Sequence, residues 1–249
     1  MQFSYESSVV RVNMPDHPSL LAEITRRLRN GQGFALATIN LDHLVKLRQD
    51  ARFREAYAAQ DLVVADGNPI VWLSRLAGRP VALVTGSDLV IPLARLSATE
   101  GVGVALVGTT EAALTAAGDE IRRRVPGCRI VARIAPPMGF DPDSDTAHDL
   151  LLQVQASGAR LCFLALGAPK QERLAARGRS VTPEIGFASI GAGLDFLAGN
   201  QTRAPQWVRR MAMEWAWRML SAPKRLVPRY ARCAAILPSE AMAAWKQRR

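Results

Sequence analysis

Four places in the sequence set polar or glycine residues directly at the end of an apolar run. GFALATI (33–39) carries Thr38 one residue before its end and leads to Asn40, and DLVVA (61–65) leads to Asp66, Gly67 and Asn68. ARLCFLALG (159–167) ends in Gly167 and leads to Lys170, Gln171 and Glu172, while EIGFASIG (184–191) ends in Gly191 and leads to Asp195. Asp66 carries the most chemistry. A carboxylate in a crevice can take the proton of an attacking hydroxyl, and a neighbouring glycine lets a ligand approach the backbone. The plainer reading is a helix cap, since an Asx side chain before a helix satisfies a free backbone N–H and Pro69 suits an early helical position. Thr38 and Asn40 have the same alternative as capping residues.

The elements that would carry these residues follow from the hydropathy pattern. GVGVALVG (101–108) and CRIVARI (128–134) complete a set of six short apolar or β-branched runs. Helical periodicity fills 40–50, 69–78, 86–97, 110–124, 145–157 and 168–178 between them. Continuous apolar strands alternating with helices predict an α/β fold, a doubly wound, mostly parallel, Rossmann-like sheet with helices on both faces. SYESSVVRV reads as an additional strand pair, and 18–30 as an amphipathic helix with Leu20, Leu21, Ile24 and Leu28 on one face. In such sheets ligands bind beyond the carboxyl ends of the strands, which is where Thr38, Asp66, Gln171 and Gly191 fall.

Other chemistries find little support. GVGVALVG has its glycines before a strand, and GAGLDFLAG lacks the third glycine and the later acidic residue, so no nicotinamide, flavin or other cofactor is expected. DPDSD (141–145) fails as a calcium loop, with Thr146 and Leu152 where Gly and Glu are needed, and reads as a helix cap; no metal site is expected. His17, His43 and His148 have no triad-like context, and no GxxxxGK[ST] segment occurs. Cys128, Cys162 and Cys233 have no ligand spacing and read as reduced thiols of a cytoplasmic protein. No signal peptide or membrane-spanning run is evident.

The core reads as residues 1–199, and the texture changes at 200–249. Of the chain's net charge of +10, +9 lies in that tail, where nine Arg and two Lys face Glu214 and Glu240. On one helix, Trp207, Val208, Met211, Ala212, Trp215 and Met219 would share an apolar face, and a second basic helix is expected around 223–236. Apolar face, Trp and clustered Arg suit a helix lying on an anionic membrane surface, while a helix packed on its own core fits the same pattern. The charge asymmetry favours the membrane. A nucleic-acid-binding tail is the rival from another class, but Trp and Met share one face rather than interleaving for base stacking, so no nucleic-acid partner is expected. A non-catalytic membrane scaffold is the third reading. The sequence is compatible with a homo-oligomer as with a monomer.

ATIN, VVADGNPIVWLSRLAGRP, TGSDL, LGAPKQE, DFLAGNQTRAPQWV and MEWAWRML-APKRLVPRY occur in that order. As an ordered set they resemble the WecG/TagA/CpsF family, glycosyltransferase family 26, over about residues 8 to 232. The resemblance implies an inverting, metal-independent glycosyltransferase at the inner face of the cell membrane. It would move a sugar from a UDP-sugar (N-acetylmannosamine-type, glucose or uronic acid) to a polyprenyl-diphosphate-linked sugar, in cell-surface polysaccharide synthesis. By the same resemblance Asp66 is the base, Thr38, Asn40 and Gln171 act beside it, and Arg203, Arg218, Arg225 and Arg229 belong to a membrane-seated appendage. The chain departs from the pattern at Leu83 and Val84, where an arginine is usual, and at GTT (108–110).

Overall fold

Five of the six apolar runs form parallel strands buried on both faces, and the sixth, Arg129–Ile134, pairs in parallel at the sheet's edge and stays partly exposed. The computed structural model describes residues 1–6, 8–200, 204–205, 208, 211, 213–221 and 223–248, without the side chains of Glu214, Arg218, Ser221 and Arg225. The strands are β3 (Phe34–Ile39), β4 (Leu62–Ala65), β5 (Gly103–Gly108), β6 (Arg129–Ile134), β7 (Ala159–Ala165) and β8 (Gly186–Ser189), in the order β4-β3-β8-β7-β5-β6. The expected extra pair is an antiparallel hairpin, β1 (Gln2–Tyr5) with β2 (Ser8–Arg11).

Alternation along β3 shows how the layers are built. Phe34 and Leu36 pack with Leu20, Ile24, Leu89, Leu93, Leu114 and Ile121, from α1 (His17–Arg29), α5 (Gly86–Thr99) and α6 (Glu111–Arg124). Ala37 and Ile39 point the other way, to Leu44, Phe53, Tyr57 and Ile70 of α2 (Leu41–Gln49), α3 (Ala51–Ala58) and α4 (Asn68–Leu76). That second layer continues with α7 (Asp145–Ala156) and α8 (Lys170–Val181), which cover Ala105, Val107, Cys162 and Phe187. A short α9 (Gly193–Leu197) follows β8. Period-two alternation between two apolar layers is what a doubly covered parallel sheet requires.

The two ends of the sheet differ. At the amino end Asp61 accepts from the Ala35 N–H at 2.8 Å and from Arg179 at 2.8 Å, and Arg27 lies at 3.2 Å. That network seals the bottom of β3. The carboxyl end is left to loops and helix N-termini capped by side chains: Asn40, Thr85 and Thr110 accept from His43, Asp88 and Ala113 N–H. Ser144 of DPDSD caps α7, and Asp143 of the same loop pairs with Arg173, so this acidic segment is a cap tied down by an arginine.

The basic tail differs in part from its periodicity. Val208 is helical, but Met211 lies in a turn and Met213 is not helical, so one continuous helix over 207–219 is not formed, and α10 covers Glu214–Ser221. The second helix is longer than expected: α11 spans Pro223–Lys246 and runs through Pro228 and Pro238. Leu226, Cys233, Glu240 and Ala244 form its buried stripe, at a spacing suited to one helix face. Ala244 joins Met1 and Phe3 in the core, and α11 packs against α2 and α4. Polar clamps hold the far end. Gln247 exchanges hydrogen bonds with the Gln2 backbone at 3.1 and 2.7 Å, and Glu240 accepts from Tyr5 at 2.8 Å and Arg48 at 2.7 Å. No helix among the described residues is long and apolar enough to cross a membrane.

Candidate active site

A cavity of about 390 Å³ opens beyond the carboxyl ends of β3, β4, β7 and β8. Thr38, Asn40, Asp66, Gly167, Gln171 and Gly191 line it, and Arg229 reaches it from α11. Each arrives by a simple local device. Thr38 is the buried penultimate residue of β3, and Asn40 turns the chain into α2 by accepting the His43 N–H at 3.1 Å. Asp66 stays tied to β3, donating its N–H to the Ile39 carbonyl at 2.7 Å. Gly67 takes the cap position of α4 at φ +113°, a backbone conformation that side chains disfavour. Asp66 is therefore not the N-cap residue; its carboxylate stands one residue earlier, at the cavity.

Gln171 joins two of the strand ends. Its Oε1 accepts the Gly191 N–H at 3.2 Å, and its Nε2 donates to Glu172 Oε1 at 2.8 Å. Glu172 is wholly buried and its Oε2 has no hydrogen-bond partner among the described residues. Burial pushes its pKa up to about 7, against the opposing bond from Gln171. A carboxyl with a raised folded-state pKa takes up a proton on folding. Its stabilising contribution is present below the ordinary value of 4.5 and lost as pH rises through about 7. Glu172→Gln is therefore expected to gain stability relative to the wild type between pH 5 and 8, as urea midpoints would report. Parallel midpoints for the two proteins across that range would contradict this.

Below Thr38 lies a second buried group. His43 Nδ1 is 2.6 Å from the Tyr57 hydroxyl, and Phe53 meets the imidazole edge-on. Burial drives the histidine pKa down to about 3, so the ring is neutral near pH 7. Tyr57 is pushed well up by burial and by the nearby carboxylates Glu172 and Asp66.

The cavity also contains residues that the sequence reading did not assign to it: Asp42, His43, Lys46, Thr85, Ser87, Phe196 and Leu226. Asp42 pairs with Lys46 one turn along α2, and Arg229 Nε lies 3.0 Å from its Oδ1, an ion pair not aligned as a hydrogen bond. Burial raises the Asp42 pKa, but the Lys46 hydrogen bond and the Arg229 and Lys46 charges outweigh it and hold the carboxyl below its ordinary value. The i, i+4 spacing of Asp42 and Lys46 was the available signal. Thr85 and Ser87 belong to TGSDL, a segment already singled out for the resemblance.

Five of the predicted residues do not line the cavity. Gly67 and Asn68 begin α4, Lys170 begins α8, Glu172 lies beneath Gln171, and Asp195 accepts from Thr109 Oγ1 at 2.7 Å. Arg203 and Trp207 lie outside the described residues, as do the side chains of Arg218 and Arg225. Trp215 is half exposed and meets Tyr230 edge-on at 6.0 Å. Leu83, where an arginine was expected, is 44% exposed and bridges Ala65 in parallel register. Among the described residues, no three His, Cys, Asp or Glu side chains gather as a metal site.

A Rossmann-like sheet with a polar cavity beyond its strand ends is a frame for group transfer, and the class here is glycosyltransferase. Residues 7–249 match the Glycosyl transferase WecG/TagA/CpsF family, and the chain belongs to that family. It is similar to the N-acetylglucosaminyldiphosphoundecaprenol N-acetyl-beta-D-mannosaminyltransferase of Bacillus spizizenii. The two are 26% identical over 202 residues, covering 81% of this chain and 76% of the relative.

Proposed function

We propose that this enzyme transfers a sugar from a UDP-sugar to a polyprenyl-diphosphate-linked sugar, with inversion and Asp66 as general base. The observation that carries the reading is the Asp66 carboxylate at the cavity, with Gly67 in the cap position and Thr38 and Gln171 at the neighbouring strand ends. The acceptor hydroxyl gives its proton to Asp66 as its oxygen attacks the anomeric carbon. The bond from that carbon to the UDP oxygen breaks, and UDP leaves with the electron pair. Charge developing on the diphosphate is met by Lys46, Arg229 and the start of α5 at Thr85–Ser87, so the reaction needs no metal.

The acceptor class is supported by the Bacillus relative, whose name specifies a diphosphoundecaprenol-linked N-acetylglucosamine. Such a substrate belongs to cell-surface polysaccharide synthesis and keeps the enzyme at the inner membrane face. The basic stretch 200–249 supplies positive charge for an anionic surface, and exposed Trp215, Leu220 and Val227 supply apolar contact.

The test is transfer of labelled sugar from a panel of UDP-sugars (N-acetylmannosamine, glucose and glucuronic acid) to a short polyprenyl-diphosphate N-acetylglucosamine, with EDTA present. One donor is expected to react at the same rate with and without EDTA. Failure of every donor would reject the substrate classes, and loss of transfer in EDTA would reject the metal-free mechanism.

A further inference from the structure

Arg229 is a cation that α11 brings to the cavity, yet among the described residues no partner on its own helix fixes where its guanidinium points. Its one ion pair among the described residues is to Asp42, on a different helix. Asp42 in turn holds Lys46, so two cations from two helices meet on one carboxylate whose side chain is only 12% exposed. The cluster keeps a net charge of +1, and all three residues line the cavity.

We propose that Asp42 is a positioning residue that sets the Arg229 guanidinium against the diphosphate of the donor. The proposal rests on the UDP-sugar reading above. Its physical basis is preorganisation. A free arginine side chain loses rotamer freedom when it engages a ligand, and a carboxylate oxygen 3.0 Å from Nε draws the guanidinium into place by charge and removes part of that cost. With Nε on the side of the guanidinium that faces Asp42, the two η nitrogens are left for phosphate oxygens, which they match as a fork. Without the carboxylate, Lys46 and Arg229 would repel each other, and the guanidinium would no longer be held at the cavity.

Docking of α11 does not require Asp42. The helix is fastened elsewhere by Glu240 to Tyr5 and Arg48, by Gln247 to Gln2, and by Ala244 in the core. A change at Asp42 can therefore be separated from a change in helix docking. Glu240→Gln is the control, since it weakens the clamp and leaves the cavity alone.

The experiment is calorimetric titration of the full chain with UDP. Asp42→Asn and Arg229→Ala are each expected to weaken UDP about tenfold, and the double variant to bind within about twofold of Arg229→Ala alone. Asp42→Glu should restore most of the affinity, and Glu240→Gln should bind UDP like the wild type while melting earlier. Additive losses in the double variant, or a Glu240→Gln loss equal to that of Asp42→Asn, would overturn the assignment of Asp42 and leave the transferase reading intact. A wild type that binds no UDP would overturn the donor reading and this inference with it.

Discussion

Asp66→Asn is expected to lower sugar transfer by about a thousandfold, within the range that a positioned general base contributes. Asparagine has the shape of aspartate but cannot take the acceptor proton, so the loss should fall on kcat, with KM for donor and acceptor changed by less than about threefold. Folding should be nearly unaffected. Gly67, not Asp66, takes the cap position of α4, and the backbone bond from Asp66 N–H to Ile39 survives the substitution. A melting temperature within a few degrees of the wild type, together with the lost rate, would assign the effect to chemistry. Activity within about tenfold of the wild type would remove Asp66 from the role of base.

The largest structural effect is expected at Gly108, where β5 ends. Its φ is +128°, and a Cβ there would lie 2.4 Å from the Ala165 carbonyl oxygen and 2.6 Å from its carbon. Both obstacles are backbone of the neighbouring β7, so no side chain can swing aside. Gly108→Ala must therefore spread two central strands or distort the turn, at about 3–5 kcal/mol from strain and overpacking together. For a chain of this size that is a fall of about 6–20 °C in melting temperature. Gly167 and Gly191 make the contrast, since both have positive φ but nothing within 4 Å of a Cβ. Alanine there should cost only about 1–2 kcal/mol, the intrinsic penalty of the left-handed region. Equal melting temperatures for alanine at 108 and 191 would contradict the role of the Ala165 contact.

Most of the sheet could be read from the sequence, for a physical reason. A strand buried on both faces must be apolar throughout, and β3, β4, β5, β7 and β8 show this in runs that break sharply at their polar ends. Helix α3 escaped notice because Asp50 both ends α2 and caps α3, so two short helices share one residue and no loop separates them. The second basic helix was expected only around 223–236, yet α11 continues through Pro238 to Lys246, because packing against α2 and α4 outweighs the lost hydrogen bonds. The strand-end rule located Thr38, Asp66, Gln171 and Gly191 together. It could not reach Asp42, Lys46, Thr85 or Ser87, which lie within or at the starts of helices and join the site only through tertiary placement. Nor could it show that Glu172 lies beneath the cavity rather than in it.

The packing of Ala244 against Met1 and Phe3 also sets an order of events during synthesis. Strand pairing from β3 to β8 needs nothing beyond residue 189, so the sheet and the α1–α5–α6 layer can form while later residues are still in the ribosome. The opposite layer cannot close over the hairpin until residue 244 has emerged, because its last apolar contributor comes from α11. Contacts so distant along the chain form slowly, since the loop they close runs from the hairpin to α11. Until then Asp42 and Lys46 wait without Arg229, and a nascent chain holds a formed sheet whose cavity lacks one wall.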